Sequence, residues 1–198
     1  VQLDLSRLKP SASIFPGEIC VIAGNNPRGK SFTVSALHAE RLLSHSPLPM
    51  KLSEPLTLVI ASAPFTSDDN LLFDPLEKLI ENCQINKPNI LILSGAFFKT
   101  SSKLIFDLAT EVDEHFMKML MSINERLGEN TQIIVVASVD DINSSACYPT
   151  RPYAFKRAGL PSNVFLAPDP CILDINGIRV AMTSVDITQH LADSEFCM

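Results

Sequence analysis

Basic residues are few in this sequence, and they do not cluster. Among 198 residues there are 16 Lys and Arg against 22 Asp and Glu, which gives a net charge of −6. Proteins that hold DNA, RNA or anionic lipid mainly through phosphate contacts need clustered Lys and Arg. The charge balance therefore argues against a protein that grips nucleic acid with its own surface.

Long apolar segments and paired cysteines are also missing. The apolar run at residues 89–94 is far shorter than the roughly 18 to 20 residues that span a bilayer. We therefore expect no membrane partner. The five cysteines are odd in number and never form a CxxC pair. This pattern disfavours a disulfide framework or a zinc knuckle, and it favours a reducing compartment.

The sequence does contain enough apolar residues for a sizeable core. Apolar residues make up 46% and charged residues 19% of the chain, as in soluble globular domains. Its length allows one domain, or one domain with a small neighbour.

The first part of the chain predicts a β-hairpin. Residues 18–23 form an apolar run, residues 24–29 are rich in residues that tolerate tight turns, and residues 31–34 alternate between polar and apolar. Pro47 and Pro49 then indicate a linker, because proline cannot continue regular structure.

From residue 55 onward the pattern changes to alternating strands and helices. Short apolar runs predict strands buried on both faces, at residues 56–61, 90–93 and 133–136. Apolar residues at helical spacing predict one helix with Asp74 as its N-cap and a longer one from Leu104 to Leu127. Two βαβ crossovers, and so a largely parallel sheet of the α/β class, follow from this order. Asn176 and Gly177, between two further apolar runs, predict a hairpin.

Residues 24–31, from Gly24 to Ser31, match the GxxxxGK[ST] pattern of a phosphate-binding loop. Such a loop needs backbone N–H groups around the phosphates and a helix behind them. Pro27 lacks an N–H, and the residues after Ser31 alternate as a strand does. A hairpin turn is therefore favoured, with nucleotide binding as the alternative.

The ends of the predicted strands offer few metal ligands. Ligands of open α/β sheets bind at the carboxyl ends of the strands, where a two-metal hydrolase would need carboxylates and imidazoles. Ser and Ala dominate residues 62–64, 94–96 and 138–140. We therefore predict no catalytic residue, no metal and no cofactor. The alternative is an enzyme with a degenerate site that keeps one metal ion on Asp140 or Asp141.

Several blocks of the sequence resemble the family of second (B) subunits of DNA polymerase alpha. The resemblance covers nearly the whole chain and is carried by residues 63–76, 87–97, 136–142, 160–171 and 183–187. It implies a calcineurin-like phosphoesterase-type α/β sheet with flanking helices, incomplete here, preceded by a small β remnant of an OB-type (oligonucleotide-binding) barrel. The implied domains are residues 1–50, the end of the barrel plus the linker, and residues 51–198, the N-terminal part of an inactive phosphoesterase-like domain.

The resemblance also implies a function. Active phosphoesterases carry the signatures DxH, GDxxD and GNH[DE], and the matching places here are residues 62–64, 95–99 and 138–141, which have lost nearly all ligands. We expect a non-catalytic accessory subunit of the DNA polymerase alpha–primase complex that scaffolds the catalytic subunit in the initiation of DNA replication. A metal-dependent phosphoesterase or 3′–5′ exonuclease with a degenerate site is the alternative.

The expected partners follow from the same resemblance. They are the C-terminal region of the polymerase catalytic subunit and the primase subunits, in the nucleus, with DNA reached only indirectly through the complex. Tyr and Arg are favoured at the centres of interfaces, so the candidate contact residues come from an aromatic and proline-rich loop and from the first strand end. They are Phe65, Tyr148, Pro149, Arg151, Pro152 and Tyr153. The alternative is that this loop packs onto its own domain.

Overall fold

The computed structural model describes residues 2–8, 13–39, 55–67, 70–107, 111–154 and 159–197. They fall into two compact units, of which the first comprises Val1–Ser46 and Asp186–Met198 and the second Pro47–Val185. The predicted boundary at residue 50 lies outside the described residues. Within the first unit, Phe196 and Cys197 pair with Ile14 and Ser13. The predicted division into a barrel remnant and a phosphoesterase-like domain stays a prediction.

The described residues form eleven strands, three α-helices and one 3-10 helix, Lys103–Asp107. The strands are β1 (Gln2–Asp4), β2 (Ser13–Ile14), β3 (Cys20–Asn25), β4 (Ser31–Ala39), β5 (Leu58–Ser62), β6 (Ile90–Ser94), β7 (Gln132–Val136), β8 (Val164–Ala167), β9 (Cys171–Ile175), β10 (Ile178–Met182) and β11 (Phe196–Cys197). The helices are α1 (Asp74–Asn86), α2 (Val112–Leu127) and α3 (Ile187–Ser194). Among these helices, none combines the length and apolarity that crossing a membrane requires.

The first unit contains the predicted hairpin. Strands β3 and β4 pair antiparallel, and β1 adds to β4 in parallel. Gly24 lies within β3 and Ser31 begins β4, so the GxxxxGK[ST] match spans a hairpin turn. The phosphate-binding-loop alternative is wrong in its structural premise, because the segment that follows the turn is a strand and not a helix.

The second unit is built on a four-stranded parallel sheet with the order β5-β6-β7-β8. Helix α1 connects β5 to β6, and α2 lies between β6 and β7. The two predicted βαβ crossovers are therefore confirmed. The prediction did not include β8, which pairs with β7 at the opposite edge from β5.

The helix boundaries differ in part from the prediction. Phe73 takes the N-cap position of α1 in a left-handed conformation, and Asp74 is the first helical residue, where a carboxylate still suits the helix dipole. Within the predicted second helix, the described residues form the 3-10 helix and α2, which ends at Leu127 as predicted. The apolar spacing continues through both segments, so periodicity alone does not locate the break.

Side chains of the central strands alternate between two apolar layers. On the first face, Leu91 of β6 and Ile133 of β7 belong to one cluster with apolar residues of α1 and α2. On the second face, Ile92 and Val136 belong to a cluster with Ile175 of the β9–β10 hairpin. The turn of this hairpin is made by the predicted Asn176 and Gly177, both at positive φ.

The second face is only partly covered. A groove of about 940 Å³ remains between the sheet and β9, and Phe165 and Ile172 on its lining are 45% and 72% exposed. Strand β5 was predicted to be buried on both faces, but it lies at the edge of the sheet and its Ile60 is 53% exposed.

Gly95 allows β5 and β6 to end close together. Its φ is +122°, and an added Cβ would lie 2.5 Å from the Cβ of Ala63 and 3.0 Å from the Ala63 nitrogen. Gly159 has a similar φ of +132° but no atom within 4 Å of an added Cβ.

We expect Gly95→Ala to lower the free energy of unfolding by about 1 to 3 kcal/mol more than Gly159→Ala. Urea denaturation of both variants measures this difference, and equal losses would contradict the close approach.

Candidate functional site

The four parallel strands end at one edge of the sheet, and we call the segments that follow them the rim. In α/β sheets this edge is where ligands bind. The rim comprises residues 63–67, 95–102, 137–144 and 168–170. The strands end at Ser62, Ser94, Val136 and Ala167. Ala63, Gly95, Ala137 and Pro168 directly follow them.

A buried carboxylate lies at the centre of the rim. Asp141 is 1% exposed. Its Oδ2 accepts hydrogen bonds from the backbone N–H groups of Phe97 at 2.6 Å and Phe98 at 3.3 Å, and from the Tyr153 hydroxyl at 3.1 Å. Its Oδ1 accepts from the backbone N–H of Asn143 at 3.2 Å. Four donors therefore point at this one side chain.

Backbone hydrogen bonds join the same two loops. Lys99 forms a β-bridge with Asp141. The N–H of Thr100 donates to the carbonyl of Asp140 at 2.9 Å, and the N–H of Ile142 donates to the carbonyl of Phe98 at 3.0 Å. The Asp141 carboxylate thus completes a network that holds the loop after β6 against the loop after β7.

A second buried carboxylate, Asp169, holds the loop after β8. Its Oδ1 accepts from the Ser184 N–H at 3.1 Å, and its Oδ2 accepts from the Ser184 hydroxyl. Its backbone exchanges two hydrogen bonds with Thr150. Within the part of the chain that the structure describes, no group of three or more His, Cys, Asp or Glu side chains is placed to hold a metal ion.

Burial sets the protonation preferences of the Asp141 cluster. Loss of solvation raises the pKa of Asp141 above its ordinary value, while the N–H donors and the Tyr153 hydroxyl act in the opposite direction. Burial and the neighbouring Asp141 charge raise the pKa of Tyr153, so its hydroxyl keeps its proton and donates. The donors therefore offset part of the cost of burying this carboxyl group, but not all of it.

Two of the sequence-predicted contact residues lie inside the core. Phe65 is 3% and Tyr153 4% exposed. The Phe65 ring stacks on Phe97 with centroids 4.8 Å apart, and the Tyr153 ring packs on Phe116 at 5.1 Å. A side chain that is buried in the core offers a partner little surface. An aromatic residue in a loop can complete the core beneath that loop, and the sequence alone does not distinguish this role from a contact role.

The other four predicted residues are exposed. Tyr148, Pro149, Arg151 and Pro152 lie at the surface, and the Tyr148 hydroxyl is 3.5 Å from the Thr183 hydroxyl. Thr150, which lies between them, is buried. These four residues thus lie in one short segment. The backbone hydrogen bonds between Thr150 and Asp169 hold this segment in place.

Sequence reasoning missed the structural role of the two carboxylates. It treated Asp141 as a loop residue or a single metal ligand, and it did not single out Asp169. Their places in the loops after β7 and β8 were the available signal. The N–H groups of Phe97 and Phe98, however, lie 44 and 43 positions from Asp141 in the sequence, and no local pattern shows such a contact.

The raised pKa of Asp141 predicts a pH effect on stability. A folded-state pKa above the unfolded value of about 3.8 means that the folded chain binds the proton more tightly. This contribution is complete below the unfolded pKa and is lost as pH rises through the folded pKa. The free energy of unfolding of the wild type minus that of Asp141→Asn should therefore fall as pH rises above about 4.

Urea denaturation between about pH 4 and pH 8 measures this difference. The exposed neighbour provides the matched control, since Asp140→Asn makes the same chemical change outside the cluster. A difference for Asp141→Asn that grows with pH would contradict the direction of the shift.

Comparisons with known proteins agree with the resemblance. The sequence profile of the family described as the B subunits of DNA polymerases alpha and epsilon matches residues 58–198. The second (B) subunit of DNA polymerase alpha from Drosophila melanogaster is 37% identical over 196 residues, which are 99% of this chain and 32% of the relative. The proteins of the same name from Schizosaccharomyces pombe and Bos taurus are 31% and 30% identical, over 98% of this chain and 36% and 33% of their own lengths.

The chain therefore spans about a third of the length of these curated relatives. The profile match covers most of the second unit and the C-terminal residues of the first. The predicted family is confirmed, and the chain belongs to the family of B subunits of DNA polymerases alpha and epsilon.

Proposed function

We propose that the chain is part of a non-catalytic accessory subunit of the DNA polymerase alpha–primase complex, which acts by binding in the initiation of DNA replication. Family membership supports this role, since the relatives are named as B subunits of DNA polymerase alpha. The observation that carries the non-catalytic part is the state of the Asp141 carboxylate, whose oxygens already accept four hydrogen bonds within the fold.

The chemistry of the rim supports an inactive phosphoesterase-like domain. Two-metal hydrolysis needs several anionic or imidazole ligands around ions about 4 Å apart. Ser62 and Ser94 at the strand ends and Ser138 in the loop after β7 supply only neutral side chains. A cation on Oδ2 of Asp141 would have to replace hydrogen bonds from Phe97 and Phe98, which would leave two buried N–H groups without acceptors. These features disfavour the alternative of a one-metal enzyme.

The proposal extends to architecture, partners and location. The parallel sheet with helices on its first face is compatible with the phosphoesterase-type fold, and the β3–β4 hairpin with a remnant of an OB-type barrel. We propose that the protein contacts the C-terminal region of the polymerase catalytic subunit and the primase subunits in the nucleus. DNA is then reached through the complex, which suits a chain with a net charge of −6.

A contact surface for this role is formed by Tyr148, Pro149, Arg151 and Pro152, which we call the 148–152 surface. Its four side chains are exposed, while Thr150 and Tyr153 are buried beside them. Anchored backbone lowers the entropy lost when exposed side chains are ordered by a partner. Tyr and Arg also offer the large contact area and the hydrogen-bond donors that dominate binding energy at interfaces.

We expect the full-length protein to co-purify with the C-terminal region of the catalytic subunit. The Tyr148→Ala/Arg151→Ala double variant should weaken this association by about tenfold or more, because each residue type contributes about 1 kcal/mol or more at interface centres. Arg179→Ala removes another exposed arginine and should leave the affinity unchanged. Affinities can be measured by biolayer interferometry.

The outcomes separate two parts of the proposal. Failure of the wild-type protein to associate at micromolar concentration would contradict the scaffold role. Association that is unaffected by the double variant would contradict the 148–152 surface alone.

Hydrolysis assays test the non-catalytic assignment. With Mn²⁺ and bis-p-nitrophenyl phosphate, we expect the full-length protein to show no turnover above the rate of a protein-free control, because the rim does not supply the ligands of a metal pair. Turnover that Asp140→Ala or Asp141→Ala abolishes would contradict this assignment. Turnover that both variants retain would point to a contaminating hydrolase.

A further inference from the structure

The 148–152 surface is too small to be a complete binding surface. Specific protein–protein interfaces bury about 800 Å² on each partner and involve roughly 20 to 30 residues a side. The 148–152 surface offers four exposed side chains. If it contacts the polymerase catalytic subunit as proposed, neighbouring residues must take part, and residues held in a fixed position beside it are the first candidates.

Residues 183–185, which we call the 183–185 segment, lie beside this surface. The Tyr148 hydroxyl is 3.5 Å from the Thr183 hydroxyl, although the two residues are 35 positions apart in the sequence. The segment follows β10, and all three of its residues are half-buried, so part of each remains open to solvent. The two segments therefore meet at the surface of the second unit.

The β9–β10 hairpin explains why the 183–185 segment lies there. Cys171 pairs with Met182 at the open end of this hairpin. Asp169 lies just before β9, and Ser184 lies just after β10. The pairing thus brings the Asp169 carboxylate to Ser184, whose N–H donates to Oδ1 at 3.1 Å and whose hydroxyl donates to Oδ2.

Asp169 fixes both segments at once. Its side chain holds Ser184, while its backbone exchanges hydrogen bonds of 2.6 and 3.0 Å with Thr150, in the middle of the 148–152 surface. Asp169 and Thr150 are 0% and 1% exposed. Loss of either link would leave buried polar groups without partners, which is unfavourable. Both segments are therefore held in place from the same buried residue.

We propose that the 148–152 surface and the 183–185 segment form one contact surface for the C-terminal region of the polymerase catalytic subunit, positioned by Asp169, an inference that rests on the proposed function. Because both segments are fixed before binding, little backbone has to be ordered by the partner, which favours affinity.

The chemistry of the joint surface indicates what the partner presents to it. It combines a tyrosine, two prolines, a threonine and Arg151, which forms no ion pair with a described carboxylate. Apolar side chains beside a carboxylate complement such a surface, since a guanidinium binds a carboxylate through charge-assisted hydrogen bonds.

Hydrogen exchange of the full-length protein, alone and bound to the C-terminal region of the catalytic subunit, tests the proposal. We expect binding to slow exchange in peptides that cover residues 147–153 and also in peptides that cover residues 182–187, because the partner covers both segments. Peptides from α1 are the reference and should exchange at the same rate in both states, since α1 packs on the other face of the sheet from the β9–β10 hairpin.

A substitution provides a second test. Thr183→Glu places a charge where the two segments meet, and it should weaken association about tenfold or more, because this charge has to be desolvated in the complex. Thr57→Glu makes the same chemical change on an exposed residue before β5, at the end of the sheet opposite to the rim, and should leave the affinity unchanged. Biolayer interferometry measures the affinities, and the melting temperature of each variant reports whether it is folded.

The outcomes separate this inference from the function on which it rests. Protection of residues 147–153 without protection of residues 182–187, or full affinity of Thr183→Glu, would overturn the inference and leave the proposed function standing. A complex in which neither region is protected would overturn the 148–152 surface as well. Failure of the wild-type protein to associate would contradict the proposed function itself, and the joint surface with it. If Thr183→Glu is unfolded, the exchange experiment on the wild type decides.

Discussion

One buried carboxyl group organises the rim of this protein. The Asp141 carboxylate accepts from two consecutive N–H groups after β6, from the backbone after β7 and from the Tyr153 hydroxyl. A charge in an apolar interior is costly unless it is surrounded by donors, and buried N–H groups are costly unless they meet an acceptor. The carboxylate therefore satisfies the buried N–H groups, and these groups in turn offset part of the cost of burying the carboxylate. The loops after β6 and β7 are thereby held against each other.

The aromatic core depends on the same geometry. Phe97 and Phe98 donate to Asp141 through their backbone and bury their rings fully, with Phe97 packed between Phe65 and Phe116. The loop after β6 can enter the core because its backbone donors find an acceptor there. The Asp141 carboxyl group holds the protein's own backbone, which supports the non-catalytic role proposed above.

Local patterns predicted most of the second unit. Apolar runs located β6 and β7, and Asn176 with Gly177 marked the β9–β10 hairpin. These features depend on neighbours in sequence, where periodicity and turn chemistry are informative. Recognition of the family was confirmed as well, because its blocks are spread over the whole chain.

The site itself was harder to predict. The partners of Asp141 and Asp169 are set by how the strands assemble, and a sequence does not show which loop donors converge on a given carboxylate. For the same reason Phe65 and Tyr153 were predicted as contact residues, although they are buried. Whether an aromatic side chain in a loop is exposed depends on the core packing beneath the loop. The sequence does not show this packing, so it does not separate the buried Tyr153 from the exposed Tyr148.

The most direct test of the central claim is a crystal structure of the full-length protein grown with millimolar Mn²⁺, using anomalous scattering to locate the ions. We predict that Asp141 still accepts from the N–H groups of Phe97 and Phe98, with no anomalous peak within about 3 Å of its oxygens. Two peaks about 4 Å apart at the rim, bridged by oxygens of the protein, would contradict the claim.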